Sequence, residues 1–473
     1  MLAIKDIYQA ITEKKPAGLE IAISDAVVDS RLVTPGALFI AMKGEHANGH
    51  DFVVEAFERG AVAAIIEEQI PGDYTIFDLR DNGRKTQPAE VSPPICLRVE
   101  SSVKALQTVA KYWRDKFDLR VIGITGSVGK STTKELTADV LSQQYKTIRS
   151  PGNMNNEIGL PLSLLGLTSM HECAVLEMGF YVPGEIAMLC DIAEPQVGVV
   201  TNISEVHLER AGSMQAIVQG KGELVEALPA GPEGVAILNF DDDRVRSLAE
   251  RTQARIFYYG LSPEADLWVS EIEGLGLDGI RCLIHFADEE IHLRVPLLGR
   301  HSVHTVMRAA AVGLIEGLDW SAIVRGLQNP RSQLRLVMVD GPRGAVILDD
   351  TYNAAPPSVL AALNLLEELD GRKWAVLGDM LELGEYEETG HRRVGARAAE
   401  VADHLVTVGE RAHWIADEAI ASGLASEKVT ALGTSEEAVE FLEDRIDAGD
   451  VVLVKGSRGV ELDRVVSAME RVE

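Results

Sequence analysis

At 473 residues the chain is too long for one ordinary domain, and its length predicts about three. Hydrophobic residues make up 46% and charged residues 25%, the balance of a globular protein, with no apolar run long enough to span a membrane. The formal net charge of −28 speaks against nucleic-acid and anionic-membrane partners, so a polyphosphate would have to be held by local cradles and metal ions rather than by the overall field.

Residues 1–117 read as a small α/β unit. A turn at Thr34-Pro-Gly36 leads into an apolar strand ending near Met42, and Lys43 to Phe52 forms a polar, glycine-containing loop. A helix over Phe52–Gly60, a strand over Ala61–Ile66, an exposed loop over Asp81–Pro94 and a helix over Val103–Phe117 follow. Ser30, Arg31 and Lys43 could face a ligand here, although composition alone makes them ordinary surface residues.

Residues 118–336 form a larger unit. Val121–Ile124 reads as the end of a buried strand, and a helix with apolar positions at Leu136, Val140 and Leu141 follows shortly after. Between them lie Gly126, Ser127, Val128, Gly129, Lys130, Ser131 and Thr132. Strand, glycine loop and helix in this order make a phosphate cradle. The glycines let the backbone approach an anion, and the helix start offers unpaired N–H groups. Lys130 suits the β- and γ-phosphates, and the Ser131 hydroxyl suits magnesium. The strict Walker spacing would place glycine at position 124; here that residue is Ile124 and the glycine stands one earlier, so the loop is a variant. Strands at Cys173–Met178, Val197–Ile203, Val235–Asn239 and Arg255–Tyr259 alternate with helical stretches. That pattern predicts a mostly parallel sheet with ligands at the carboxyl ends of its strands.

Residues 337–473 form the third unit. Strands Ala345–Asp349, Trp374–Leu377, His404–Val408 and Val451–Val454 alternate with helices near 357–370, 388–402, 412–421 and 435–446. This is a smaller doubly wound α/β unit without its own glycine fingerprint, suited to closing over a nucleotide bound elsewhere. The fold class is therefore α/β in three domains. The four cysteines show no Cys-x-x-Cys spacing and the start lacks a signal-peptide pattern, so a cytoplasmic location is expected.

Several strand ends carry chemistry. Glu177 closes an apolar strand and could take magnesium, or be solvated. His207 and Lys221 read by themselves as a loop histidine and a surface lysine. The loop Pro151–Pro161 concentrates Asn153, Asn155 and Asn156 between turns, which suits substrate contact. Asp349 and Asp350, followed by Asn353, suit ribose hydroxyls or a metal; Lys455 and Arg458 suit a carboxylate; Arg335 could reach a phosphate as the third unit closes. A solvated strand end is the alternative for each of these.

Taken in order, these stretches strongly resemble the Mur ligases, and within them the type that adds D-alanyl-D-alanine to UDP-N-acetylmuramoyl-tripeptide. The carriers are Asp29-Ser-Arg31, Pro35-Gly-Ala-Leu-Phe39, Gly49-His-Asp-Phe52, the phosphate loop, Gly152-Asn-Met-Asn-Asn-Glu-Ile-Gly159 and Glu177-Met-Gly179. They continue through Asn202 to His207-Leu-Glu209, Lys221-Gly-Glu223, Asp349 to Pro356, Gly378-Asp-Met-Leu-Glu-Leu-Gly384 and Lys455-Gly-Ser-Arg458.

The resemblance implies a UDP-sugar peptide-binding domain at 1–117, an ATP-binding domain at 118–336 and a C-terminal ligase domain at 337–473. It implies that Lys130 and Ser131 hold phosphates and a first magnesium with Glu177, and that His207 and Lys221 serve a second, Lys221 as a carbamate. It places Ser30, Arg31 and Lys43 near the uridine diphosphate, Asp350 on the ATP ribose and Arg335 on the γ-phosphate. Where the family reads His-Asn-x-x-Asn at the adenine site, this chain reads His301-Ser-Val-His-Thr305, which puts Ser302 and Thr305 in place of the asparagines. Asn48 stands where an aspartate is usual before Gly49. The expected partners are the UDP-sugar tripeptide and the dipeptide, with no nucleic acid or membrane insertion and a monomeric chain. A related ligase with another acceptor, as in folate polyglutamylation, and a P-loop regulator without ligase chemistry are the competing readings.

Overall fold

The computed structural model describes residues 1–16, 18–44, 47–80, 92–328 and 337–470. By internal contacts the chain divides into two compact units. The first comprises Met1–Gly123, Tyr145–Gly179 and Gly184–Val197; the second comprises Ile124–Gln144, Phe180–Pro183 and Gly198–Glu473.

The first unit contains a five-stranded sheet in the order Ala26–Val27, Leu38–Ile40, Ala63–Ile66, Ile95–Arg98, Thr75–Asp78. All four pairings are parallel. The central strands are apolar on both faces, as parallel strands covered on both sides must be. Helix Ser102–Arg114 starts where the Ser101 hydroxyl accepts the Lys104 N–H, and Trp113 anchors its far end by donating to the Leu167 carbonyl at 3.1 Å. Elsewhere in this unit Thr147–Arg149 pairs in parallel with the fully buried strand Cys173–Glu177. The loop expected over Asp81–Pro94 falls mostly outside the described residues.

In the second unit Val235–Asn239, Arg255–Gly260 and the start of Leu267–Gly274 run parallel. Leu267–Gly274, Ile280–Phe286 and Glu289–Val295 then form an antiparallel meander. This meander departs from the mostly parallel sheet expected from the alternation of strands and helices. The last of its strands alternates buried and exposed residues near its end, the period-two pattern of a sheet wet on one face. The helix that follows the glycine loop, Lys130–Leu141, packs against helices Val303–Ile315 and Trp320–Gln328. Gly326 makes that approach possible: a Cβ there would lie 2.5 Å from the Cα of Val140.

The last sheet has six strands in the order Val337–Asp340, Val346–Asp349, Asp450–Lys455, Arg372–Gly378, His404–Val408, Val429–Leu432. Only the first pairing is antiparallel. Leu348, Ala375 and Leu453 point to one core, while their neighbours Ile347, Val376 and Val452 point to the other. Helices cover both faces, so the doubly wound expectation holds. Helices Pro356–Glu368, Glu387–Val401, His413–Ala421 and Ser435–Leu442 lie where the periodicity places them.

Candidate active site

The loop between strand Arg120–Thr125 and helix Lys130–Leu141 is shaped by two glycines and held from the next strand end. Gly126 has φ +144°, and a Cβ there would meet the Thr201 hydroxyl at 1.9 Å. Gly129 caps the helix in the left-handed region, φ +83°, and supplies no side chain to the first N–H groups. The Asn202 side chain accepts from the Val128 N–H at 3.0 Å and donates to the Val128 carbonyl at 2.9 Å. Thr201 Oγ1 donates to the same carbonyl at 2.7 Å. Ser127 hydroxyl and backbone are tied to Ser204 and Asn202. The loop is thus rigid, and its helix start is open to an anion. Ser131 is buried and Thr132 half-buried on the first turn.

Two lysines converge on this loop. Lys130 Nζ donates to the Gly126 carbonyl at 2.8 Å, and Lys221 Nζ donates to the same oxygen at 2.9 Å. Lys221 is 1% exposed. Burial first, then the Lys130 ammonium, push its pKa well below the ordinary lysine range, so the amine is held toward its neutral, nucleophilic form. It rises from helix Met214–Glu226 between two glycines, a costly choice in a helix interior. The reason is space: a Cβ at Gly220 would lie 1.9 Å from the Phe180 ring, which covers the lysine at 4.9 Å.

His207 lies in the same unit. Its Nδ1 is 2.5 Å from Glu382 Oε2, and Arg210 meets the other carboxylate oxygen at 2.8 Å. Burial and then the Lys130 charge hold the imidazole down to about 4, against the pull of Glu382. The neutral ring therefore donates from Nδ1 to Glu382 and leaves the Nε2 lone pair for a cation. His207 and Glu382 both adopt positive φ, 64° and 65°, without being glycine. Strain of this kind persists only where surrounding structure enforces it. Among the described residues no three His, Cys, Asp or Glu side chains converge as a ready metal nest.

In the C-terminal sheet the strand ends are stitched to one another. Lys455, 2% exposed, pairs with Asp350 at 2.7 Å and donates to the Asn353 carbonyl at 2.8 Å. Ser457 accepts the Leu381 N–H at 3.0 Å, which fixes the loop carrying Glu382. The Asn353 side chain and Arg458 are exposed. Thr305 is buried and accepts from Arg308 at 2.8 Å, while Ser302 donates to the Leu298 carbonyl. Arg335 lies outside the described residues.

In the first unit Glu177 is 1% exposed and accepts from Asn155 at 2.8 Å. Asn156 caps helix Gly159–Leu165 by accepting the Gly159 N–H at 2.9 Å, and Asn153 is exposed. Ser30 donates to Glu55 at 3.2 Å, Lys43 pairs with Glu68, and Arg31 forks onto Asp29. The Arg31 hydrogen bonds draw the Asp29 carboxyl down to about 2.

Sequence reasoning passed over Thr201, Tyr259, Arg308 and the role of Glu382. Glu382 lay inside a quoted motif without a task. Arg308 carried a visible signal, a lone cation in the apolar helix Val303–Ile315.

Comparison with known proteins places this geometry. The Mur ligase middle domain matches residues 124–313, the Mur ligase glutamate ligase domain 334–458, and the Mur ligase family catalytic domain 23–75. A Synechocystis sp. protein named UDP-N-acetylmuramoyl-tripeptide–D-alanyl-D-alanine ligase is 35% identical, over 95% of this chain and 92% of its own length. MurF from Acinetobacter baumannii superposes with a TM-score of 0.81 at 30% identity, covering 98% of this chain and 97% of that one. MurF ligase from Thermotoga maritima in complex with ADP gives 0.76 at 29% identity, covering 94% of this chain and 96% of that one. The chain belongs to the Mur ligase family.

Proposed function

We propose that the chain is an ATP-dependent ligase that joins D-alanyl-D-alanine to UDP-N-acetylmuramoyl-tripeptide in peptidoglycan precursor synthesis. The observation that carries the reading is the pair of lysines meeting one loop carbonyl beside an open helix start. That arrangement suits phosphoryl transfer to a carboxylate, because the chemistry needs positioning and charge neutralisation more than covalent help. Similarity over nearly the whole chain to the Synechocystis ligase supports the choice of substrates.

A carboxylate does not react with an amine at neutral pH. In the proposed route a carboxylate oxygen of the tripeptide attacks the γ-phosphorus of ATP, and the bond to the β–γ bridging oxygen breaks, releasing ADP. The amine of D-alanyl-D-alanine then attacks the acyl carbon, inorganic phosphate departs, and the amine proton goes to solvent or base. The loop N–H groups and Lys130 stabilise charge on the transferring phosphoryl group. Arg335 is proposed for the γ-phosphate, Asp350 for the ribose and Thr305 for the adenine side. Ser30, Arg31, Lys43, Asn153, Asn155, Asn156, Asn353, Lys455 and Arg458 are proposed to border the two acyl-transfer substrates.

The donor set fits magnesium in one respect and lacks fit in another. Within the second unit Ser131 and a neutral His207 are competent ligands, whereas an amine at Lys221 is poor company for a hard cation; Glu177 is proposed for magnesium on the family resemblance alone. A carbamate on Lys221 removes the mismatch: carbon dioxide adds to the neutral amine, a proton leaves, and two carboxylate oxygens result. Bound magnesium would supply charge neutralisation along the phosphates. Residues 1–117, 118–336 and 337–473 are proposed as the UDP-sugar, ATP and closing domains of a cytoplasmic monomer, and closure would keep water from the acyl phosphate.

The test is phosphate release by the purified protein, with the tripeptide ending in diaminopimelate or in lysine. Release is expected only when ATP, tripeptide and dipeptide are all present. Release without either acceptor, or none with any combination, overturns the assignment.

A further inference from the structure

Helix Val303–Ile315 is buried over most of its length, and Arg308 sits within it at 4% exposure. Taking a guanidinium out of water is expensive unless an anion meets it. Among the described residues no carboxylate lies within ion-pair distance of Arg308. Nη1 donates to the Tyr259 hydroxyl at 3.2 Å and Nη2 to Thr305 Oγ1 at 2.8 Å, while the buried Nε has no hydrogen-bond partner among the described residues.

The guanidinium stands at the glycine loop. A Cβ built on Gly129 would lie 3.2 Å from Nη2. Tyr259 is fully buried and donates to the Thr201 carbonyl at 3.1 Å, and Thr201 also braces the loop. Arg308 is therefore fixed relative to the cradle by two rigid partners. Other cations lie nearby: His304, Lys455 and Arg308 all act electrostatically on the exposed His301, while Asp241 pairs with His304 at 3.0 Å.

We propose that Arg308 is a nucleotide ligand of this chain, its guanidinium answering the phosphate chain of the nucleotide seated in the Gly126–Thr132 loop. The inference rests on the reading of that loop as the ATP site. It also accounts for Thr305, whose hydroxyl orients the guanidinium.

The experiment is calorimetric titration with ADP and with inorganic tripolyphosphate, alongside thermal melting without ligand, for wild type, R308M, R308K and K130M. R308M is expected to weaken both ligands about 10- to 100-fold, the range for a lost charged hydrogen-bond pair. Its ligand-free melting temperature should hold or rise, because an uncompensated buried cation is expendable for folding. R308K should fall between the two, since it keeps the charge but loses the fork. Wild-type affinity in R308M, or a collapse of its ligand-free stability, overturns the proposal. If K130M also binds both ligands as wild type does, the reading of the loop itself fails. If K130M weakens binding and R308M does not, only the role of Arg308 is lost.

Discussion

Lys221 in the middle part of the second unit and Lys455 in its C-terminal part are both buried, and the fold treats them differently. Lys455 is matched on the spot by Asp350, with a backbone carbonyl beside it. Lys221 meets a carbonyl, an aromatic face and a second lysine's charge, and no carboxylate among the described residues. A matched charge is satisfied within the fold whatever else it borders, whereas an unmatched one calls for a further partner. Strand-end position alone does not separate the two; the counter-charge does.

The largest effect that would break this contrast is at the loop. Lys130→Ala should lower phosphate release on the order of 10³-fold, the scale for losing a main stabiliser of transition-state charge. Near-normal turnover would remove the cradle from the mechanism. Lys221→Ala should be as inactive, yet recover part of its turnover with a short added carboxylic acid. No recovery, in a protein that still binds the metal, would end the carbamate reading.

The C-terminal clamp predicts the opposite signature. Lys455→Met removes the cation paired with Asp350 and should destabilise the fold by about 3 kcal/mol in denaturant melts, and adding Asp350→Asn should restore part of it. Lys221→Met leaves no carboxylate behind and should not lower stability. Equal losses at the two lysines would erase the comparison.

Smaller effects sharpen it. Glu382→Gln loosens the ring that presents Nε2 and should weaken magnesium affinity about 10- to 100-fold in direct binding measurements. An unchanged affinity would leave the His207–Glu382 contact a packing feature. His391 steadies the same loop: its ring accepts the Met380 N–H at 3.0 Å, and Nδ1 faces the Glu387 carbonyl at 2.7 Å. Burial lowers its pKa below 6.5, so the unfolded chain takes the proton first. Stability should be full above about pH 6.5 and fall on acidification, by at most about 1.4 kcal/mol per pH unit for this group. His391→Gln removes the titrating ring while offering one acceptor and one donor, and should flatten that slope in urea melts across pH 5–7; an unaltered slope would clear His391.

Much of the architecture was readable without coordinates. Strand, glycine loop and helix announce themselves through local backbone demands, and the alternation over 345–454 follows from period-two and period-3.6 burial. The antiparallel meander over 267–295 was missed because its strands are half-exposed and follow parallel neighbours that obey the expected pattern. Asn156 reads in the sequence as a substrate contact; that its oxygen also caps a helix is visible only in the hydrogen bond.

What the sequence determined by itself is the set of parts: a phosphate loop, polar strand ends and the order of motifs that mark the family. Each is encoded within about a dozen consecutive residues, where backbone geometry and side-chain period act directly. What the tertiary structure alone decided is which charge meets which partner. Lys221 reaches Gly126 across 95 residues and His207 reaches Glu382 across 175. A lysine, a histidine or an arginine carries no mark of its partner, because burial and counter-charge arise only when distant segments pack together.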